Sequence, residues 1–249
     1  MERSKHIAVA GKGGTGKTTT AALLIRYLIE NKKGSILAVD ADPNSNLNEA
    51  LGVKVENTIS TILEDVKKNN VPPGMTKQTY LELKLHQSLT ETQYFDLLVM
   101  GGPPGPGCYC FPTELLKKHM EVLDNNYDYM VIDNEAGMEH ISRQTIEDVD
   151  ILLLISDPTA KGVRTVGKIY ELAKSLKIEI GEAYIIVTKT SDASELMDEI
   201  KATGLELLGI IPNDPLVAEY DLKGKPLMEL PEDSAAVKAS REIFGKLNL

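Results

Sequence analysis

Short apolar runs alternate along this chain with longer stretches in which apolar residues return every three or four positions. The runs cover 6–10, 36–39, 97–100, 129–132, 151–155, 184–187 and 207–211. Each is too short for a helix and apolar at successive positions, which predicts strands buried on both faces. Between the first two runs, residues 18–30 place Leu23, Leu24, Tyr27 and Leu28 at helical spacing. Repetition of this unit predicts an α/β fold with a mostly parallel central sheet and helices on both faces. Turn-forming polar residues follow nearly every run, so the functional loops belong at the carboxyl edge of the sheet. The stretch 71–91 is the least regular; Pro72-Pro73-Gly74 breaks it, and a helix is expected beyond, as an insertion or flap.

A chain of 249 residues, 42% hydrophobic, accommodates one such domain, expected to span 1–249. Its formal charge of −10 disfavours a nucleic-acid partner, whose phosphates it would repel. No segment is long and apolar enough to span a bilayer, and Met1-Glu2-Arg3-Ser4-Lys5 lacks the apolar core of a signal peptide. A cytoplasmic location is expected.

The richest chemistry follows the first strand. Gly11-Lys12-Gly13-Gly14-Thr15-Gly16-Lys17-Thr18-Thr19 completes the frame G-x-x-x-x-G-K-[ST] between a strand and a helix. Glycines let successive N–H groups converge on an anion. Lys17 can neutralise β- and γ-phosphates, and the Thr18 hydroxyl is a ligand for Mg²⁺. Gly11, Gly13 and Gly16 also fit the dinucleotide fingerprint G-x-G-x-x-G, with Asp40 ending the next strand. Lys17-Thr18 decides against that reading, because a dinucleotide needs neither group. Lys12 has no task in an ordinary loop of this kind, and its position allows it to project toward a second molecule.

Acids follow two further strands. In Asp40-Ala41-Asp42-Pro43-Asn44, two carboxylates beside a polyphosphate suit magnesium-water binding and orientation of an attacking water, with Asp42 the water-orienting candidate. The plainer reading is a helix capped by Asp42 or Asn44 and begun by Pro43. In Asp133-Asn134-Glu135-Ala136-Gly137, Asp133 is placed to hold a magnesium water, and Gly137 permits loop movement. Glu135, Glu139 and His140 are weaker candidates. Farther on, Pro212-Asn213-Asp214 offers acceptors for an adenine amino group, or forms a proline-set turn.

Both cysteines lie one residue apart, as Cys108 and Cys110. In an extended segment the two sulfurs share a side. Two thiolates half-fill a four-coordinate site, and a two-fold dimer supplies the rest. Four sulfurs suit tetrahedral Zn²⁺ or square-planar Ni²⁺, while buried or redox-active cysteines are the plainer reading.

With its extra lysine, the loop 11–19 resembles the deviant Walker A motif of the MinD/ParA/nitrogenase-iron-protein class. Adding Asp40-x-Asp42, Cys108-x-Cys110 and the run 133–140 makes the chain similar to the CooC-type accessory ATPases that insert nickel into carbon monoxide dehydrogenase. The resemblance extends from Ile7 to about Leu227. It implies an ATP-dependent homodimer in which Lys12 crosses to the partner's phosphates. It also implies ATP/ADP with Mg²⁺ as cofactors, and Ni²⁺ or Zn²⁺ held by Cys108 and Cys110 of both subunits. Catalysis would rest on Lys12, Lys17 and Asp42, and magnesium on Thr18, Asp40 and Asp133. The partner would be a client nickel enzyme, carbon monoxide dehydrogenase or acetyl-CoA synthase. Thr188 stands where the family's usual base-contacting asparagine would be.

Two alternatives follow from other features. A MinD-like positioning ATPase needs a membrane-binding C-terminal helix, and 234–249 carries Lys238, Arg241 and Lys246 beside Val237, Ile243, Phe244 and Leu247. The absence of a dense cationic face favours packing of this segment on the sheet. An iron–sulfur scaffold or electron donor would use the same cysteine pair for a cluster.

Overall fold

The computed structural model describes residues 3–68, 71–102, 110–135 and 148–249. Its centre is an eight-stranded sheet of β1 (Lys5–Gly11), β2 (Ile36–Asp40), β3 (Thr90–Glu91), β4 (Asp96–Val99), β5 (Tyr129–Asp133), β6 (Asp148–Ser156), β7 (Glu179–Thr188) and β8 (Glu206–Ile211), ordered β3-β4-β2-β5-β1-β6-β7-β8. All pairs are parallel except β3 with β4. The seven strands expected from apolar runs are present. The antiparallel β3, only two residues long, carries no apolar run and escaped that pattern.

Continuous apolar runs arise because alternate residues of each strand face different helical layers. Val9, Ala38, Val131 and Leu153 point into one core, whereas Ala8, Leu37, Met130 and Leu152 point to the opposite side. On the first face lie α1 (Lys17–Glu30), α2 (Leu47–Leu51) and the C-terminal α9 (Ala235–Phe244). On the second lie α3 (Ile59–Lys67), α4 (Lys77–His86) and α5 (Cys110–Leu123) over one half of the sheet, with α6 (Ala160–Ser175) and α7 (Met197–Ala202) over the other. The remaining α8 (Pro215–Leu222) follows β8. Among the described residues, no helix is long and apolar enough to cross a membrane.

The helix expected within 71–91 is α4. It is no loose flap: Tyr80 is buried, and Leu85 belongs to the same core cluster as Ile59 and Leu116. The C-terminal segment packs as expected, with Val237, Ile243, Phe244 and Leu247 in the core beneath the sheet. Its polar side is tied to α1 by arginines. Arg26, buried, donates to Glu30 Oε1 (2.6 Å), the Leu230 carbonyl (2.6 Å) and Glu232 Oε1 (2.7 Å). Arg241 donates to Glu30 (2.8 Å) and also to Glu232. Donation to the Glu30 and Glu232 carboxylates raises the Arg241 pKa further above its ordinary value.

Loss of a buried guanidinium strands the Leu230 carbonyl and one face of Glu30, whereas Glu232 is solvent-exposed. Arg26→Met should therefore lower the unfolding free energy by about 2–4 kcal/mol. Glu232→Ala should lower it by less than about 1 kcal/mol. Urea unfolding at neutral pH checks both values, and equal effects would show that α9 is held by packing alone.

Candidate nucleotide and magnesium site

Strand register brings the chemistry together. β1 lies between β5 and β6, so Val9 pairs with Asp133 and Gly11 with Ile155; on the far side of β5, Asp40 pairs with Asp133. The loop 11–19 and both acidic loops thus leave the same edge of the sheet at adjacent positions, as the strand pattern predicted.

Backbone shape at 11–19 depends on glycine. Gly14 (φ +76°) and Gly16 (φ +91°) are left-handed, a conformation that L side chains rarely adopt. A side chain at Gly11 would run into the Ile155 carbonyl of the neighbouring strand. Gly16 is the N-cap of α1, and no side chain caps that end. The first-turn amides are consequently available to an anion, which the helix dipole also favours. Gly13 is exposed within the turn, and Thr19 lies in the first turn of α1. The Thr15 hydroxyl donates to the Lys12 carbonyl at 2.8 Å and tightens the loop.

Lys17 is buried, and burial lowers its pKa while Asp133, Asp42 and Glu135 pull it back up. Its ammonium lies 3.4 Å from the Lys12 carbonyl. Lys12 behaves oppositely, with its side chain exposed to solvent.

Asp133 fits a magnesium site. It is buried at the end of β5 and accepts from the Thr18 hydroxyl at 2.6 Å through Oδ2, whereas Oδ1 is buried with no hydrogen-bond partner among the described residues. A buried carboxylate oxygen is rarely left unpaired. A hydroxyl and an orphaned carboxylate side by side form an oxygen donor set suited to Mg²⁺ or its water shell. Burial is also the main reason that the Asp133 carboxyl is pushed up to about 6.

Asp40, expected beside it as a magnesium residue, also anchors a loop. Its Oδ1 accepts from the Asp42 amide (3.1 Å) and its Oδ2 from the Leu47 amide (2.9 Å), anchoring the loop 41–46 to the start of α2. Both oxygens already have donors because the chain curls back over the strand end. Burial pushes this carboxyl up to about 7, and nearby Asp133 adds to the effect.

The expected helix starting at Pro43 is absent; α2 begins at Leu47 with Asn46 as N-cap. Asp42 instead makes a local turn, accepting from the Asn44 amide (2.8 Å) and side chain (3.0 Å) through Oδ1. Its Oδ2 has no donor among the described residues, which leaves one lone-pair face for a water.

The loop after β8 is mainly structural in its acid. Asp214 caps α8 by accepting from the Leu216 amide (2.9 Å), and its other oxygen accepts from the Ser234 hydroxyl (2.5 Å) and the Ala236 amide (3.0 Å). It joins two helix starts, so its carboxylate is not free for a base; Asn213 is exposed and Pro212 half-buried beside it. Thr188, considered only as a replacement for a base-contacting residue, is buried against the phosphate-binding loop.

Cys108, Gly137, Glu139 and His140 lie outside the described residues, and Cys110 is placed only as the first residue of α5.

The raised carboxyls have a consequence for apo protein. Asp40 and Asp133 bind protons more tightly folded than unfolded, so their contribution is fully present below the ordinary carboxylate range and lost as pH rises through about 6 and about 7. Without magnesium and nucleotide, the thermal midpoint should fall between pH 5.5 and pH 8, and Asp133→Asn should fall less. Parallel pH profiles for the two proteins would disprove this.

Comparison with known proteins agrees with the site. The model of the CobQ/CobB/MinD/ParA nucleotide binding domain matches residues 6–227. An uncharacterized ATP-binding protein of Methanocaldococcus jannaschii, MJ0685, is 45% identical over 97% of this chain and 97% of its own. The carbon monoxide dehydrogenase accessory protein CooC of Rhodospirillum rubrum is 31% identical over 90% of this chain and 89% of its own. The septum site-determining protein MinD of Pyrococcus horikoshii, solved with Mg-ADP, superposes with a TM-score of 0.70 at 25% identity, covering 96% of this chain and 94% of that one. With its glycine loop, buried lysine and orphaned acid at one sheet edge, this chain belongs to the CobQ/CobB/MinD/ParA family of P-loop nucleotide-binding proteins and is an ATP-binding ATPase of the MinD/ParA type.

Proposed function

We propose that this protein is an ATP-hydrolysing metallochaperone. It dimerises with ATP, carries nickel or zinc on Cys108 and Cys110 of both subunits, and serves a nickel enzyme of the carbon monoxide dehydrogenase/acetyl-CoA synthase type. The observation that carries this reading is the contact between the loop bearing Asp42 and the start of the segment leading to the cysteines. The Met100 amide donates to the Asp40 carbonyl at 2.9 Å, and a Cβ on Gly102 would lie 3.0 Å from the Pro43 carbonyl. Gly101, at φ +70°, is packed against Thr58, and its carbonyl accepts from Ser60 Oγ at 2.7 Å. Tight backbone packing leaves little slack between these loops, so a shift of the Asp42 loop on nucleotide exchange is felt where the cysteine segment begins.

Likeness to the carbon monoxide dehydrogenase accessory protein CooC along nearly the whole chain supports a client of the carbon monoxide dehydrogenase type. Exposure of Lys12 beside its own loop supports a role across a dimer seam.

In this mechanism the unpaired amides of the loop 13–18 and Lys17 hold the phosphates, and Thr18 and Asp133 would hold magnesium, which would supply positive charge against the phosphate tail. Asp42 orients the attacking water through its free oxygen. Lys12 of one subunit stabilises charge developing on the partner's γ-phosphate. Metal and ATP both favour the closed dimer, so each tightens the other by the same factor.

Lys12→Ala should lose hydrolysis by roughly a thousandfold while still binding nucleotide. Cys108→Ala or Cys110→Ala should abolish nickel binding and leave much of the ATPase. Equilibrium nickel and zinc titrations in the ADP and ATP states, with sedimentation for dimer content, measure these effects. Unchanged nickel stoichiometry in the cysteine variants refutes the cargo site, and a brown protein containing iron and sulfide after anaerobic purification replaces it with a cluster.

A further inference from the structure

We infer that Thr188 and Lys189 are positioning residues for the phosphate-binding loop and that Thr188 does not read the nucleobase. β7 ends at Thr188, whose buried hydroxyl lies 2.6 Å from the Thr15 carbonyl and 3.2 Å from that of Ser156. One proton serves one acceptor best, and the shorter contact is the one to the loop. The next residue, Lys189, has φ +61°, a left-handed conformation rare for a residue with a side chain. In that conformation its ammonium donates to the Gly14 carbonyl at 2.7 Å.

These two bonds act on consecutive peptide planes. The Gly14 carbonyl shares a rigid plane with the Thr15 N–H, and the Thr15 carbonyl shares one with the Gly16 N–H. A donor that fixes each oxygen also fixes where the opposite N–H points: the Thr15 N–H toward the Lys12 carbonyl (3.4 Å), which closes the turn, and the Gly16 N–H at the start of α1. Glycine at 14 and 16 makes this stretch pliable in isolation, so external bracing is what preorganises its anion-binding amides. Lys189 adds charge as well as geometry. Its charge-assisted bond to the Gly14 carbonyl polarises the attached N–H.

Recognition of the base is then left to other groups. The Thr188 hydroxyl is spent on the loop, as the Asp214 carboxylate is spent on α8 and α9. Binding strength from Thr188 and Lys189 is directed at the phosphate tail alone.

The test is calorimetric binding of ADP, GDP and inorganic pyrophosphate, each with magnesium, to the parent protein and to Thr188→Val, Lys189→Met and Lys189→Arg. Thr188→Val and Lys189→Met should weaken all three ligands by a common factor of roughly tenfold. Lys189→Arg should restore most of the loss. In steady state, KM for ATP should rise more than kcat falls. Loss confined to ADP, with GDP and pyrophosphate unchanged, would make Thr188 a base reader and overturn the inference; unchanged binding of all three would do the same. Lys189 is exposed, so its variants test the brace even if Thr188→Val fails to fold.

Discussion

Buried negative charge beside an anion-binding loop is the constraint around which the site is arranged. Asp40 and Asp133 sit at paired registers of adjacent strands, nearly free of solvent, within reach of a nest shaped for phosphate. Left alone, such carboxylates resist ionisation and repel a nucleotide. They become useful only with cations nearby, and Lys17 and the oxygen donors for magnesium are placed accordingly. The two acids divide the work. Asp40 is satisfied by backbone amides and shapes a loop, whereas Asp133 keeps one oxygen without a partner.

The same edge of the sheet explains how chemistry and conformation are connected. Parallel strands place their following loops side by side, so the segment after β2 touches the segment after β4 within a few residues of Asp42. Helices on both faces hold the strands rigidly, which confines movement to the loops. In the proposed mechanism, that backbone contact is the route by which a shift beside the γ-phosphate would reach the neighbouring loop. The C-terminal helix reaches that edge through its first turn, where the Ala236 amide donates to Asp214 at 3.0 Å. Its arginine–carboxylate ties to α1 and its apolar face in the core make it a structural wall.

Seven of the strands, the glycine loop and the acids at strand ends were all legible in residue patterns, because those features are local. An apolar run buried on both faces needs no knowledge of its neighbours, and Gly11 to Thr19 carries its chemistry within nine adjacent positions. Three things escaped. The two-residue β3 has too few positions for a period; the α4 segment looked detachable because half its side chains are polar; and the amides at helix starts from which Asp40 and Asp214 accept could not be read from an acid after a strand.

What the sequence by itself determined is therefore the chemistry available and the edge on which it gathers: a phosphate loop, a magnesium hydroxyl and acids at the carboxyl ends of parallel strands. Tertiary structure alone decided how those groups are spent. Thr188 meets the Thr15 carbonyl across 173 positions, and Thr18 meets Asp133 across 115. A hydrogen bond forms with whichever donor the fold brings within about 3 Å, and no pattern along the chain encodes that distance between segments so far apart.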